Sequence, residues 1–386
     1  MLTLALEPPR RPAPVDQALL WSTLLLLALG LVMVYSASVS IAAVNKITGR
    51  DPHFYLVRHA ASLGLGCLLA LAVFQVPVRA WQRLAVPLLL VALGLLVLVL
   101  VPGVGRSVNG SQRWLRFAGL GFQPSEFAKL AMVLYAAGYA LRRSARMGSL
   151  VRGMLPLSAV MAVVGGLLLL EPDFGALMVV VTVTLGILFL GGLSGRVFAA
   201  VTVPLMALVP LLIWLEPYRM ARLVSFLDPW DDPDRKGYQL IHSLIAFGRG
   251  AFSGVGLGAS VEKQFYLPEA HTDFLMAVIA EEMGLAGVLL VLVLFAGLVV
   301  RTFMVGRQAA QLERYFAALT AQGVGLWIGL QALINLGVNM GALPTKGLTL
   351  PLMSFGGSGI LANLAGLAIV LRVDYENRQL MQGKTP

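Results

Sequence analysis

Apolar stretches separated by short polar clusters recur along the whole chain. Ten of them, at 18–42, 55–76, 84–104, 125–141, 154–170, 174–193, 197–215, 272–300, 315–338 and 355–373, have about the 17–25 residues needed to cross a hydrocarbon core as a helix. The first is too long for a signal-peptide core, and further spans follow it, so it reads as a helix although small residues (Ser36, Ala37, Ser38) follow its apolar part. One connector stands apart. The segment 216–271 is far longer than a turn, and its aromatic content (Phe226, Trp230, Tyr238, Phe247, Phe265, Tyr266) argues for a folded loop. A short amphipathic helix is expected near 238–249. Smaller outer loops are expected at 103–124 and 338–354.

Composition strengthens this pattern. Hydrophobic residues make up 58% of the 386, charged residues 12%, and the mean hydropathy is +0.83. A soluble domain carries about 25% charged residues, so a water-soluble globule is excluded. The single Cys67 excludes a disulfide framework and a cysteine-based metal site, and four histidines leave little for a histidine-rich one. The net charge of +10 sits in clusters between the apolar runs. With both termini cytoplasmic, the inner segments carry 15 basic and five acidic residues and hold the whole excess. Membrane topology therefore explains the charge, and nucleic-acid binding is not implied. The expected division is a tail at 1–17, a membrane domain at 18–373 with its long outer loop, and a second tail at 374–386.

Ionisable residues beside or inside the spans are the chemical signal, because each is costly there. Glu126 and Lys129 are three apart on one helix face. A structural ion pair and an anion-binding lysine held by its glutamate both fit this spacing. Ser125 is a candidate helix cap. Glu171–Pro172–Asp173 reads most simply as a solvated turn capping the next span. Asp273 falls at the first turn of the eighth span, facing the outer side. The helix N-terminus would keep it ionised, while desolvation would raise its pKa. A carboxylate balanced in this way can accept a proton from a hydroxyl; a helix cap is the alternative. Glu281 and Glu282 lie deeper on the same helix and read as a bundle pair with partners elsewhere. Arg113, Arg116, Arg222, Arg249, Lys263 and Lys346 would converge on the outer face, as binding of a pyrophosphate requires. The glycine-rich run 248–258 reads as a flexible loop, with phosphate contact as the alternative.

Gly110–Ser111–Gln112–Arg113–Trp114, Gln123–Pro124–Ser125–Glu126 with Lys129, Pro172–Asp173–Phe174–Gly175, Tyr238–Gln239 with Ala246–Phe247–Gly248–Arg249–Gly250, His271–Thr272–Asp273–Phe274 and Leu343–Pro344–Thr345–Lys346–Gly347 together resemble the SEDS proteins (shape, elongation, division and sporulation). The resemblance runs from about residue 16 to residue 372. The segments 266–273 and 228–230 are closer to the division branch than to the elongation branch. The resemblance implies an all-α polytopic fold of ten transmembrane helices with a long periplasmic loop between helices 7 and 8. It implies a glycosyltransferase that polymerises lipid II at the outer face of the bacterial inner membrane, with a class B penicillin-binding transpeptidase of the FtsI type and other division membrane proteins as partners. Asp273 matches the family's essential aspartate, Glu126 and Lys129 its buried pair, and Lys346 a lysine of the last outer loop. Glu171 stands where Gln is usual. A divalent cation at the pyrophosphate is compatible with this activity, but no ligand cluster demands one. Two other readings use the same cavity or none: a transporter that flips lipid II, and a non-enzymatic division scaffold.

Overall fold

The computed structural model describes residues 15–108, 111–117, 120–233, 237–345 and 347–384. Among them the chain forms twelve α-helices and one small sheet. In order these are α1 (Gln17–Val44), α2 (Phe54–Gln75), α3 (Val78–Leu100), β1 (Gly105–Val108), β2 (Ser111–Phe117), β3 (Leu120–Phe122), α4 (Pro124–Arg142), α5 (Leu155–Leu170), α6 (Phe174–Leu190), α7 (Gly195–Trp214), α8 (Pro217–Leu227), α9 (Tyr238–Gly250), α10 (Leu275–Gln311), α11 (Tyr315–Asn339) and α12 (Gly357–Met381). Seven of them, α1, α2, α3, α7, α10, α11 and α12, are long and apolar enough to cross a membrane; α5 and α6 are apolar but shorter. The helix expected near 238–249 is α9. A further amphipathic helix, α8, precedes it in the same outer segment.

The bundle is organised by depth. Nearly every residue of α4 is buried, as are most of α11 and α12. Trp327 on α11 is fully enclosed. By contrast α7 buries only Val197, and α2 and α3 turn leucines such as Leu68, Leu71 and Leu90 outward, as lipid-facing helices do. Small residues permit close packing: a Cβ on Gly30 would lie 2.6 Å from the Met353 backbone.

Both α10 and α12 continue past their apolar runs, and α12 extends into the region 374–386 expected as a tail. Their polar ends are fastened by ion pairs. Asp16 caps α1 through the Leu19 amide (2.9 Å) and pairs with Arg301 of α10. Arg378 reaches Asp374 at 2.8 Å and Asp16 at 3.8 Å, and Glu376 receives Arg314 and Arg372. The start of α1 and the ends of α10 and α12 thus share one end of the bundle, opposite Asp273.

Two features were absent from the sequence reading. The first is the antiparallel sheet β1–β2–β3, with Val108 opposite Ser111 and Leu115 opposite both Gly105 and Phe122. The second is a break in α10 at Gly284 (φ 63°, ψ −161°). Part of the glycine-rich run is packed rather than free. It lies against this break, where a Cβ on Gly250 or Gly254 would overlap the backbone of Ala280 or Glu282. Gly250 and Gly254 serve close backbone approach, whereas Gly248, Gly256 and Gly258 have open space at the Cβ position.

Candidate active-site cavity

A cavity of about 1950 Å³ opens beside the sheet, between α2, α3, α4, α12 and the segment 269–274 that leads into α10. Its polar end gathers Asp273, Glu269, Arg113, Arg116, Arg222 and Gln123. The rest of its wall is largely apolar, lined by Leu65, Leu69, Leu88, Leu98, Leu130 and Ala365. Leu65, Leu69 and Leu98 line the cavity and remain exposed, so the groove is open along its apolar wall. Such a shape takes a lipid tail in the groove and its head group at the polar end.

Asp273 stands at the polar end, two residues before α10 begins. It is neither the N-cap nor in the first helical turn; the N-cap is Phe274. Instead, the backbone around it is gripped carbonyl by carbonyl. Phe355 N donates to His271 O (2.9 Å). Ser354 Oγ donates to Thr272 O (2.5 Å). Asn335 and Asn339 both donate through Nδ2 to Asp273 O (2.8 and 3.0 Å). The Asn339 Oδ1 also accepts from Ala277 N (3.1 Å), satisfying a helix-start amide. These bonds fix the main chain and leave the carboxylate facing the cavity. Burial, and then the nearby Glu269, push the Asp273 pKa up to about 7, against the opposing pull of Arg222 and Arg113. The helix end does not hold it low, as one sequence-level argument supposed. Burial pushes the pKa of the neighbouring His271 below its usual value, against the pull of Glu269, and its ring packs on Tyr55 at 4.5 Å between ring centres.

Both acids of the turn at 171–173 are buried, although Pro172 between them is exposed, which corrects the reading of a solvated turn. Asp173 does cap α6 (Ala176 N, 3.1 Å), and it also accepts from Ser125 Oγ (3.0 Å). Ser125 is therefore not the cap of α4, where Gln123 stands at the N-cap position. Arg113 lies over this turn. Its Nε donates to Glu171 O (3.1 Å), another nitrogen donates to Pro172 O, and a third lies 3.9 Å from Asp173 Oδ1. Across the cavity Arg222 donates to Thr345 O (3.2 Å). Glu171 is fully buried; burial and Asp173 push its pKa up to about 8 against the pull of Arg113.

The predicted cations separate into groups. Arg113, Arg116 and Arg222 line the cavity. Lys129 is sealed beneath it, 2.8 Å from Glu126 Oε1 and 2.7 Å from Gln331 Oε1, with its ammonium 5.6 Å from the Trp327 ring centre. Only Glu126 of that pair reaches the cavity wall. Arg249 and Lys263 are directed away from the cavity, toward Glu281 (3.5 Å) and Glu282 (2.6 Å). Lys346 lies outside the described residues. The sequence reading missed Arg58 and Arg106, which also line the cavity, and the polar row Gln331, Asn335 and Asn339. Arg58 is an arginine inside an apolar span, and the polar row repeats every four residues inside another; both are signals of inward-facing function. Among the described residues no group of three or more His, Cys, Asp or Glu side chains converges to hold a metal ion, so no step below is routed through one.

A multi-helix membrane protein with a carboxylate at the polar end of a long, largely apolar groove is the class this architecture defines. Within it, the chain belongs to the FtsW/RodA/SpoVE family of cell cycle proteins, whose model matches residues 17–379. A protein of Aromatoleum aromaticum named probable peptidoglycan glycosyltransferase FtsW is 58% identical over 369 residues, covering 96% of this chain and 90% of that one. A Burkholderia thailandensis protein of the same name is 52% identical, covering 95% and 80%. Among solved structures, a chain of a peptidoglycan synthase complex that coordinates polymerization and crosslinking superimposes with a TM-score of 0.75 at 35% identity, covering 95% and 99%. The Thermus thermophilus rod shape determining protein RodA gives 0.69 at 33%, covering 95% and 97%.

Proposed function

We propose that this chain polymerises lipid II into glycan strands for the septal cell wall, at the outer face of the bacterial inner membrane. The observation that carries this reading is Asp273, with a pKa near neutrality, in a cavity that joins cationic side chains to a lipid-sized groove. The relatives named FtsW support the activity and its place in division.

The chemistry is a single displacement. The Asp273 carboxylate takes the proton from the acceptor sugar's 4-hydroxyl as that oxygen bonds to the donor's anomeric carbon. The bond from that carbon to the pyrophosphate oxygen breaks, and its electron pair leaves with undecaprenyl pyrophosphate. One displacement inverts the α-linked donor to a β-linked product, so one base suffices, unlike retaining hydrolysis with its two close carboxylates. Arg113, Arg116 and Arg222 meet the charge that develops on the leaving group. Arg249, Lys263 and Lys129 are engaged elsewhere in the fold.

The ten-span reading assigns α8 and α9 to the outer face and the remaining helices to the membrane. The ion-paired end formed by α1, α10 and α12 is then cytoplasmic, together with both termini, and Asp273 is outside. A class B penicillin-binding transpeptidase of the FtsI type is the proposed partner for crosslinking, by analogy with the synthase complex. A lipid II transporter is the second reading, and the broken α10 favours it, since transporters use broken helices. Away from its polar end the cavity wall is largely apolar, however, and offers a head group no polar path across.

The test is polymerisation of labelled lipid II by the purified chain with its transpeptidase. Glycan from the wild type and none from Asp273→Asn supports the assignment. Normal glycan from the variant removes the base, and translocation without glycan in liposomes supports the transporter.

A further inference from the structure

Glu281 and Glu282 sit near the start of α10, fully buried, at the point where the helix breaks. The mechanism above does not use them. Glu282 accepts from Lys263 Nζ (2.6 Å) and, through both oxygens, from Ser36 Oγ of α1 (2.7 and 2.8 Å); Lys263 also donates to Ser36 (2.9 Å). Glu281 accepts from Ser260 Oγ (2.5 Å), Val261 N (3.0 Å) and Glu262 N (3.3 Å). The backbone is joined at the same level. Val255 N and Gly256 N donate to the carbonyls of Glu281 and Glu282 (2.9 and 3.0 Å). Leu285 N and Ala286 N donate to Ala251 and Phe252 (3.0 and 3.3 Å).

These contacts close a loop whose apex is Asp273. From Lys263 the chain runs outward to Asp273, then turns and descends through the part of α10 before its break, about 14 Å at 1.5 Å per residue, to Glu282. The Lys263–Glu282 pair closes the base of this excursion. Two buried charges are a poor means of gaining stability, because neutral groups of similar shape commonly do as well. A paired geometry that fixes one arrangement of the chain gives them a purpose.

We infer that Lys263 is a positioning residue, acting through Glu282 and Ser36 to hold the half-helix Leu275–Met283, and with it Asp273, at the depth where the carboxylate meets the acceptor hydroxyl. This deepens the proposed reaction and rests on Asp273 being its base. A displacement of about an ångström at a reacting group can cost a hundredfold in rate, so the effect falls on turnover more than on substrate binding.

The test uses the full chain with its transpeptidase and labelled lipid II. In K263M/E282Q both charges are removed and neither is left unpaired. The expected result is an unchanged melting temperature, a kcat lower by roughly ten- to a hundredfold, little change in KM, a displaced acid limb of the pH–rate profile, and faster amide exchange at Val255, Gly256, Leu285 and Ala286. Wild-type kcat with a wild-type acid limb in this variant overturns the inference. If the double variant does not fold, K263R takes its place: reduced kcat at unchanged melting supports positioning, and wild-type kcat overturns it. D273N separates the two readings. Glycan made by D273N defeats the base assignment, and amide exchange then decides the clamp alone, unchanged exchange counting against it. An inactive D273N beside a fully active K263M/E282Q defeats only the clamp.

Discussion

Lys129 donates to Glu126 Oε1 at 2.8 Å, while Glu126 Oε2 is buried without a hydrogen-bond partner among the described residues. The pair is thus asymmetric. One oxygen neutralises the lysine, and the other lies at the cavity wall, where a Cβ on Gly359 would be 3.6 Å away. Removing one partner of a buried pair costs about 3–5 kcal/mol, whereas removing both is commonly near neutral. K129M is therefore expected to melt well below wild type, with E126Q/K129M recovering most of the loss. Thermal unfolding in detergent measures both. A single variant as stable as wild type would show that breaking this buried pair carries no such cost.

Glu269 and Asp273 are separated by one turn of chain, and the negative charge of the first helps raise the pKa of the second to about 7. A base must be ionised to accept a proton, so polymerisation is expected to rise with pH through that value and then level off. E269Q removes the like charge, which lowers the Asp273 pKa and moves the acid limb to lower pH. The profile of kcat against pH for the two proteins checks this. A limb that stays in place, or moves upward, contradicts the electrostatic coupling.

Much of this architecture is legible in the sequence, because a membrane forces apolar residues into long runs and charges to their ends. Glu126 and Lys129 were legible because three residues place two side chains on one face. The hairpin was not recognised, although Asn109–Gly110 stands between β1 and β2 in sequence and is a strong turn signal; its strands are short and follow directly on an apolar span. Lys263 and Arg249 were assigned to the cavity because charge alone does not say which side of a loop faces a site. Their partners Glu281 and Glu282 come close only through the break in α10, which is made by tertiary backbone pairing and has no local signature beyond Gly284.

Glu171 gives the fold a pH dependence of definite sign. Its pKa rises from the ordinary 4.5 to about 8 in the folded chain. Between those values the unfolded chain has released a proton that the folded chain keeps, so raising the pH favours unfolding. The stabilisation is complete below about 4.5 and gone once the pH passes about 8. E171Q, which carries no proton to lose, should show a flatter dependence of melting temperature on pH, with the gap to wild type widening across that window in the variant's favour. Parallel curves for the two proteins would mean that Glu171 is ionised in the fold.

The glycines around the break differ in what surrounds them, and this separates them by experiment. Gly284 combines a backbone conformation that only glycine adopts readily (φ 63°, ψ −161°) with a Cβ position 2.4 Å from Gly254 N and 2.6 Å from Phe252 O. G284A should lose the strain term of about 1–3 kcal/mol and, in addition, push apart the strand-like pairing of 251–256 with 281–286. Gly248 lies inside α9 with no atom within 4 Å of its Cβ position. G248A should be neutral or stabilising by about 0.5–1 kcal/mol, because alanine loses less backbone freedom in a helix. Melting temperatures of the two variants, read beside amide exchange at Leu285 and Ala286, distinguish close packing from flexibility as the role of the run. A G284A protein that melts with wild type and keeps those amides protected would mean that α10 can run straight through residue 284, and that the contacts at Glu281 and Glu282 do not depend on the break.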